Sequence, residues 1–316
     1  MTKNYYITTP IYYPSAKPHM GHAYSSIVVD FFARFKKIEG YKVFFLTGTD
    51  EHGLKIQRAA EKNKKEPLEF CDEISKTFKE LSKTLNLSNN DFIRTTEKRH
   101  HKSVQNLWNV LEKKGEIYLS KYSGWYSVSD EAFYLDNEIE TREGIKVAKS
   151  SGSVVEWLEE ESYFFKLSNW QNKLLELYEK NPKFILPKSR KNEVVSFVKS
   201  GLKDLSVSRK SFSWGIQVPS NKEHVIYVWL DALTNYLSAL NYPDTDNDMY
   251  KNFWPADVHM IGKDILRFHA VYWPAFLLAA DLPAPKRVYG HGWILSGEEK
   301  MSKSKGNILD PIEIIN

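Results

Sequence analysis

The chain is short of cysteine, of long apolar runs and of any strong charge bias. Its 316 residues include a single cysteine, Cys71, so an internal disulfide and a Cys-x-x-Cys zinc knuckle are both excluded. The apolar stretch at 273–280 is far shorter than the ~20 residues that span a bilayer. The N-terminal residues lack the architecture of a signal peptide. We therefore expect a cytoplasmic protein that does not contact membranes.

Other absences narrow the class further. Lysine and arginine exceed aspartate and glutamate by only 44 − 40 = 4, which permits a polyanionic partner without requiring one. The Gly-x4-Gly-Lys-Ser/Thr pattern does not occur, so P-loop chemistry is excluded. Aromatic residues are plentiful at 14%, which argues against disorder. A length of 316 residues favours two domains.

The first 50 residues predict a βαβ unit. Residues 4–8 (NYYIT) are rich in β-branched and aromatic side chains and predict a buried strand. Ala23, Ile27 and Phe31 then repeat every fourth residue, which predicts an amphipathic helix. Residues 41–47 predict a second buried strand. A strand, a helix and a strand within ~45 residues imply a parallel sheet.

The residue pattern of the rest of the chain changes twice. A helical pattern runs to about residue 115, and an α+β pattern with short aromatic strands follows. A buried strand at 225–230 then resumes the parallel-sheet pattern of the first 50 residues. A further strand and a helix at 264–280 complete it. We predict an α/β protein in which a Rossmann-like parallel-sheet domain (1–114 and 225–299) is split by an α+β insertion (115–224), with a final segment at 300–316.

Two histidines lie where the first strand passes into the first helix. His19 and His22 flank Gly21, at the kind of strand-to-helix junction where open α/β sheets bind ligands. The helix N-terminus attracts anions, and a glycine lets a nucleotide lie against the backbone. Taken alone, the two histidines are more typical of a surface pair, and with no third ligand nearby they do not indicate a metal site.

A lysine–serine run, KMSKS, occupies 300–304 after a glycine-dense segment. Such runs usually form solvated loops. Lysines on a mobile loop can, however, close over a pyrophosphate and neutralise its charge. Lys300 and Lys303 are therefore candidates for phosphate contacts.

Together, HMGH at 19–22 and KMSKS at 300–304 resemble the paired signatures of the class I aminoacyl-tRNA synthetases. The resemblance extends over essentially the whole chain and is most specific for the methionyl-tRNA synthetases, through TTPIYY at 8–13, TGTDEHG at 47–53, YVWLDA at 227–232 and IGKDI at 261–265. It implies a ligase that activates L-methionine with MgATP to methionyl-adenylate and pyrophosphate. Methionine would then pass to the 3′ end of the initiator and elongator methionine tRNAs.

The resemblance also implies individual site residues. Catalytic roles fall to His19, His22, Lys300 and Lys303. The ATP site would comprise Gly21, His22, Asp264, His291, Gly292, Trp293, Ile294 and Lys303. The methionine pocket would comprise Ile11, Tyr13, Asp50, Trp229, Ala232, Leu233, Tyr236, Ile265 and His269. Asp50 would pair with the substrate ammonium, and Tyr13 and His269 would contact the sulfur. Plain core packing is the alternative for Ile11, Ala232 and Ile265.

Two departures from the family pattern modify these expectations. Many relatives carry zinc knuckles in the insertion, but Ser127 and Asp130 stand where the cysteines would fall, so we expect no zinc. The sequence ends at Asn316, before the anticodon-binding domain that the family implies. We expect a monomer that activates methionine but, as these residues alone, charges tRNA poorly.

Alternative classes differ from this reading in definite features. Isoleucyl, valyl and leucyl enzymes carry a much larger editing insertion, and cysteinyl enzymes need a zinc–thiolate cluster. A nucleotidylyltransferase would not need the slot around 229–236, and a non-catalytic tRNA-binding scaffold would not need intact catalytic motifs. His100, His101 and His224 have no role in this scheme and are expected at the surface, and Cys71 is expected to be packed.

Overall fold

The computed structural model describes residues 3–130, 132–293, 295–296, 299–300 and 310–315. Its first part consists of β1 (Asn4–Thr8), α1 (Met20–Ile38), β2 (Lys42–Thr49), α2 (Leu54–Lys62), α3 (Pro67–Thr84), β3 (Asp91–Arg94) and α4 (Lys98–Lys113). The middle part consists of β4 (Ile117–Ser127), β5 (Ala132–Tyr134), β6 (Ile139–Arg142), β7 (Ile145–Ala148), β8 (Glu156–Phe165), α5 (Gln171–Lys180), β9 (Ile185–Leu186), α6 (Lys188–Lys199), β10 (Leu205–Ser206), β11 (Ser208–Arg209), β12 (Gln217–Val218) and β13 (Asn221–Ile226).

The last part begins directly after β13. It consists of α7 (Val228–Leu233), α8 (Asn235–Ser238), α9 (Asp248–Phe253), β14 (Val258–Gly262), α10 (Trp273–Ala279), β15 (Val288–His291), β16 (Leu295–Ser296), β17 (Glu299–Lys300) and α11 (Pro311–Ile315). None of these helices is long and apolar enough to cross a membrane.

A six-stranded parallel sheet forms the centre of the molecule, and the predicted α/β class is confirmed. Its strand order is β3-β2-β1-β14-β15-β9. Ile7 of β1 lies opposite Val258 of β14, so the two halves of the chain meet at the middle of the sheet. The edge strand β9 lies inside 115–224, the range predicted as an insertion, and pairs with β15.

Helix α1 covers one face of the sheet, but with a different side from the one that its apolar repeat suggests. Ala33 and Val29 are buried against the sheet, whereas Ile27 and Phe31 are 46% and 63% exposed. Small side chains on the inner side let the helix lie close to the strands. The predicted helix is therefore confirmed; of the three residues that indicated it, Ala23 is buried and Ile27 and Phe31 lie largely in solvent.

Two other predicted elements have a different secondary structure from the one expected. The strand expected at 225–230 ends at Ile226 and pairs in an antiparallel sheet with β11 and β12, and the rest of that apolar run begins α7. A short run that is buried on all sides does not distinguish a strand from a helix. The helix expected at 264–280 is instead a 3-10 turn (Lys263–Ile265), a π-helical turn (Phe268–Tyr272) and α10. Strand β3 lies within a stretch that had a helical pattern.

The antiparallel module between β4 and β10 has a hydrogen-bonded knot where the family's cysteines would fall. The Asp130 carboxylate accepts from the hydroxyls of Ser153 at 2.7 Å, Tyr134 at 2.6 Å and Ser151 at 2.5 Å, and the Ser127 hydroxyl accepts from the Asp130 amide at 3.3 Å. Across the described ranges, no group of three or more His, Cys, Asp or Glu side chains is arranged to hold a metal ion.

Candidate active site

A cavity of about 430 Å³ lies where the parallel strands end. The loops after β1, β2, β14 and β15 supply its walls, as expected of an open α/β sheet. It is lined by sixteen of the predicted residues, namely Ile11, Tyr13, His19, Gly21, His22, Asp50, Trp229, Ala232, Leu233, Tyr236, Asp264, Ile265, His269, His291, Gly292 and Trp293. Lys300 ends β17, and the predicted Ile294 and Lys303 lie outside the described residues.

Several lining residues were not predicted from the sequence. They are Pro10, Tyr12, Ser15, Tyr24, Ser25, Lys55, Asn235 and Gly262. Tyr12, Tyr24 and Ser25 adjoin predicted residues in the chain or lie one turn along α1. Their closeness to predicted residues could have identified them as lining residues. Asn235 precedes Tyr236 and gave no pattern of its own.

The two histidines are fixed at the N-terminus of α1 by the backbone. Nδ1 of His19 accepts from the Gly21 amide, and Nδ1 of His22 accepts from the His19 amide, each at 3.0 Å. The rings are 3.8 Å apart between centroids. Because Nδ1 is an acceptor in both rings, the proton of each neutral imidazole lies on Nε2. Each histidine therefore presents an N–H donor from the positive end of the helix.

Gly21 has a steric role in this arrangement. A Cβ at this position would lie 2.8 Å from Cε1 of His19. Any larger residue would push the His19 ring away from its capping position. The glycine therefore preserves the histidine pair, in addition to the room for a nucleotide that was expected of it.

The wall next to β14 and β15 consists of polar and aromatic side chains that contact one another. Nε1 of Trp293 donates to the Asp264 carboxylate at 2.5 Å, and the Lys263 ammonium lies 3.3 Å from the centre of the Trp293 ring. Nε2 of His291 and the Ser25 hydroxyl are 2.8 Å apart. The last contact joins the end of β15 to α1 directly beside the histidine pair.

An aromatic slot forms the opposite wall. The Trp229 and Phe268 rings stack with centroids 3.4 Å apart and planes 12° apart. Phe268 and His269 lie in the π-helical turn, a geometry that often marks functional sites because it pushes side chains out of the regular helix spacing. Ala232 and Leu233 complete the slot from α7.

His269 is a neutral hydrogen-bond acceptor at the end of this slot. Its Nδ1 lies 2.9 Å from the Ile265 carbonyl, which can only accept. Burial lowers the pKa of His269 to about 4. Nε2 therefore accepts, and the Tyr236 hydroxyl donates to it at 2.8 Å. Burial also raises the pKa of Tyr236 well above its ordinary value, so the phenol keeps its proton.

Two residues that line the cavity each carry a buried polar atom with no hydrogen-bond partner among the described residues. These atoms are Nε1 of Trp229, a donor, and Oδ1 of Asn235, an acceptor. The Asn235 amide is held in place because its Nδ2 donates to the Ala232 carbonyl at 2.6 Å. Buried polar groups are normally paired, so this donor and this acceptor are exceptions that lie on residues of the cavity wall. Asp50, 3% exposed, adds a carboxylate to the same wall.

The expectation that the remaining histidines lie at the surface is wrong for two of them. His100 and His224 are fully buried, and both are hydrogen-bonded to serines, at 2.9 Å to Ser238 and Ser208. His101 is half-buried, and burial lowers its pKa to about 4. Histidine is intermediate in burial, so single positions outside a motif gave no signal. Cys71 is buried, as expected.

The fold and the cavity define a class of protein: an open α/β protein with a parallel sheet, a cavity at the ends of its strands and a His-x-Gly-His turn at the start of its first helix. The family model for class I tRNA synthetases (M) matches residues 5–316. The chain belongs to this family.

Individual relatives agree with the family model. The chain is 57% identical over its whole length to the methionine–tRNA ligase of Rickettsia conorii and 55% identical over 99% of its length to that of Brucella suis biovar 1. It spans 61% of the length of each. The structure of Mycobacterium tuberculosis methionyl-tRNA synthetase with methionyl-adenylate superposes with a TM-score of 0.97 and 51% identity, covering 99% of this chain and 62% of that one. The apo form superposes with a TM-score of 0.82 and 49% identity, covering 93% and 56%.

Proposed function

We propose that this chain activates L-methionine with ATP, forming methionyl-adenylate and pyrophosphate, and that the whole protein then transfers methionine to its tRNA. The observation that carries the proposal is one cavity that joins two unlike walls. One wall presents two histidine donors at a helix N-terminus, and the other is an aromatic slot with an acidic group at its edge. The chain covers 62% of a relative whose structure holds methionyl-adenylate, and that ligand has these two parts.

The amino-acid part of the ligand matches the unpartnered atoms of the second wall. A zwitterion brings an ammonium group, which donates, and a carboxylate, which accepts. We assign the ammonium to Asp50 and to Oδ1 of Asn235, and the carboxylate to the indole N–H of Trp229. A buried charge-assisted contact of this kind is roughly twice as strong as a neutral hydrogen bond.

The thioether would lie between the stacked rings and the Tyr236–His269 pair. Sulfur is polarisable and makes favourable contacts with aromatic rings. Both nitrogens of His269 are hydrogen-bonded. Within this pair, Tyr236 is therefore the group that can contact the sulfur, through its ring and its phenolic oxygen, because its hydrogen is donated to His269. The sequence expectation that His269 contacts sulfur directly becomes a proposal that it orients Tyr236. Tyr13 lines the cavity and stays a candidate for a sulfur contact.

The chemical step needs positioning and charge stabilisation more than covalent help. A methionine carboxylate oxygen bonds to the α-phosphorus of MgATP, the bond from that phosphorus to the bridging oxygen breaks, and pyrophosphate leaves with the electron pair. Nε2 of His19 and of His22 would donate to phosphate oxygens as the charge develops. We propose that Lys300 and Lys303 hold the departing pyrophosphate, and that Asp264, His291, Gly292, Trp293 and Ile294 bind the adenosine.

Further properties follow as proposals from family membership. The partners of the whole protein would be the initiator and elongator methionine tRNAs, and we propose a cytoplasmic monomer without bound zinc. We also propose that 115–224 acts as an inserted module between the catalytic segments 1–114 and 225–299. The Asp130 knot supports the zinc-free proposal, because hydroxyl–carboxylate bonds occupy the place of the metal ligands.

Methionine-dependent exchange of labelled pyrophosphate into ATP tests the activation step. The purified chain should catalyse exchange with L-methionine and not with leucine, isoleucine, valine or cysteine. A second assay, thermal denaturation with each amino acid and ATP, should show a shift with methionine. Exchange without any amino acid would favour a nucleotidylyltransferase, and no exchange together with no thermal shift would favour a non-catalytic scaffold.

A further inference from the structure

A chain of buried histidine–carboxylate hydrogen bonds lies behind the cavity; none of its own side chains lines the cavity, although it joins segments that do. Nδ1 of His52 donates to Oδ2 of Asp231 at 2.7 Å, and Nε2 of His100 donates to Oδ1 of the same carboxylate at 2.7 Å. His100 continues the chain to Ser238, 2.9 Å away. The side chains of Asp231 and His100 are fully buried, and that of His52 is 4% exposed.

Asp231 stays ionised in this setting. Burial opposes the charge, but the charges and hydrogen bonds of His52 and His100 outweigh it and hold the Asp231 pKa well below its ordinary value. Both carboxylate oxygens are used, so the direction of the group is fixed. A buried charged group with its partners rarely adds net stability over apolar packing. The main physical consequence of this cluster is therefore the placement of the segments attached to it.

The segments that Asp231 joins carry the two ends of the proposed amino-acid site. His52 follows Asp50 by two residues at the end of β2. Asp231 lies in α7 between Trp229 and Ala232, both of which line the cavity. His52 and Asp231 are 179 residues apart in the chain. Their hydrogen bond therefore fixes the distance between the end of β2 and α7, which local structure does not set.

Glu51 holds the same β2 end from the other side. Its carboxylate accepts from Nε and Nη2 of Arg94 at 2.7 and 2.9 Å, and from the Thr96 hydroxyl at 2.6 Å. Its amide donates to the Thr95 hydroxyl at 2.9 Å. Asp50 is therefore flanked by two buried carboxylate clusters, of which only the Asp231 cluster reaches the aromatic slot.

We propose that Asp231 is a positioning residue for the amino acid: through His52 it fixes where Asp50 meets the substrate ammonium, and through α7 it fixes the matching place of Trp229. The inference rests on the proposed function, since it assigns the amino acid to this cavity. Errors of about 1 Å in such placements cost up to ~100-fold in rate or affinity. ATP binds against α1, β14 and β15, so its site should be unaffected.

The test is methionine-dependent pyrophosphate exchange with Asp231→Asn and with a matched control, Asp30→Asn. Asp30 is also a nearly buried carboxylate, bonded to Arg34 and to the Ser88 amide, but it lies in α1, on the face of the sheet opposite α7. We expect Asp231→Asn to raise KM for methionine by ~10–100-fold with KM for ATP changed less than about twofold. The control should leave the ratio of the two KM values at its wild-type value.

A second pair of variants keeps the test valid if Asp231→Asn does not fold. His52→Ala removes the donor to Asp231, whereas His52→Asn retains an N–H donor close to the position of Nδ1. The alanine variant should raise KM for methionine and the asparagine variant should recover most of it. Equal rises in both KM values, or equal behaviour of the two His52 variants, would overturn the positioning role. A wild-type chain without exchange would instead refute the proposed function.

Discussion

Tyr236 donates its phenolic hydrogen to Nε2 of His269 across 2.8 Å, at the closed end of an aromatic slot. The Ile265 carbonyl accepts from the other ring nitrogen, so the donor and acceptor roles in this pair are fixed. The pair gives an otherwise apolar slot one oriented hydroxyl. A slot of this kind can distinguish a thioether from a methylene group by polarity, where shape alone offers ~1–3 kcal/mol per methylene-sized difference.

Tyr236→Phe should relax the discrimination between methionine and norleucine, in which a methylene replaces the sulfur. Loss of one buried hydroxyl contact costs ~1 kcal/mol, so the ratio of kcat/KM for the two amino acids should fall by ~3–10-fold. Pyrophosphate exchange with each amino acid measures the ratio. Tyr178→Phe is the control. Tyr178 is also buried, and its hydroxyl donates to the Ala270 carbonyl at 2.7 Å, but it does not line the cavity. An unchanged ratio in Tyr236→Phe would contradict the role of the hydroxyl.

The pH dependence should separate binding from stability. The folded pKa of His269 is about 4, lowered by burial from 6.5. The unfolded chain therefore binds more protons between these values. Stability from the neutral ring is complete above pH 6.5 and is lost as the pH falls towards 4, by about 2 kcal/mol between pH 7 and pH 5 for this group.

Thermal denaturation and methionine titration over that range test both parts. The melting temperature should fall from about pH 6.5 downwards, whereas KM for methionine should stay flat between about pH 6 and pH 8 because His269 does not titrate there. His269→Gln retains an amide that can accept from Tyr236 and should lose part of the acid sensitivity. A KM for methionine that changes steeply near pH 6.5 would show that the ring titrates at its ordinary pKa.

The residues implied for the site lie close together in the fold, whereas several predicted helices and strands differ from the observed ones. Sixteen of the residues that the family resemblance implied line one cavity. Ten of them lie in the quoted strings of four to seven residues, and those within 11–22, at 50 and at 264–265 follow ends of strands that the parallel sheet brings together. Helix α1 and the run 225–230 show the limit: Ile27 and Phe31 fit the helical repeat but lie in solvent, and Val228 begins a helix. Which face is buried depends on how closely the helix approaches the sheet.

The chain of histidine–carboxylate hydrogen bonds behind the cavity could not be predicted from the sequence. His52 and Asp231 lie in strings that indicated other roles, and His100 has no motif. Their contact depends on the packing of α4, α7 and the end of β2, which are distant in the chain. Local patterns carry no information about such pairs, and buried histidines are found only once the fold is known.

Trp229→Phe should weaken methionine binding and leave methioninol binding unchanged. The substitution keeps the stack on Phe268 but removes the indole N–H that has no partner in the described protein. Methioninol lacks the carboxylate that this donor would bind, so methionine alone should lose affinity, by ~10-fold for one charge-assisted contact. Calorimetric titration of both ligands measures it. Trp273→Phe removes an equally buried indole N–H away from the cavity and should change neither affinity.

The knot around Asp130 gives the last prediction, on stability. Asp130→Asn keeps the side-chain shape, but its amide nitrogen cannot accept from Tyr134 and Ser151, so at least one of these bonds is lost. The cost should be about 1–3 kcal/mol, visible as a melting temperature lower by several degrees. Glu140→Gln, at an exposed carboxylate of the same module, should change it by less than a degree. Since Ser127 and Asp130 stand where the family's cysteines would fall, we expect that added zinc does not raise the melting temperature of the wild type. Stoichiometric zinc found by elemental analysis would contradict the structural role given to the knot.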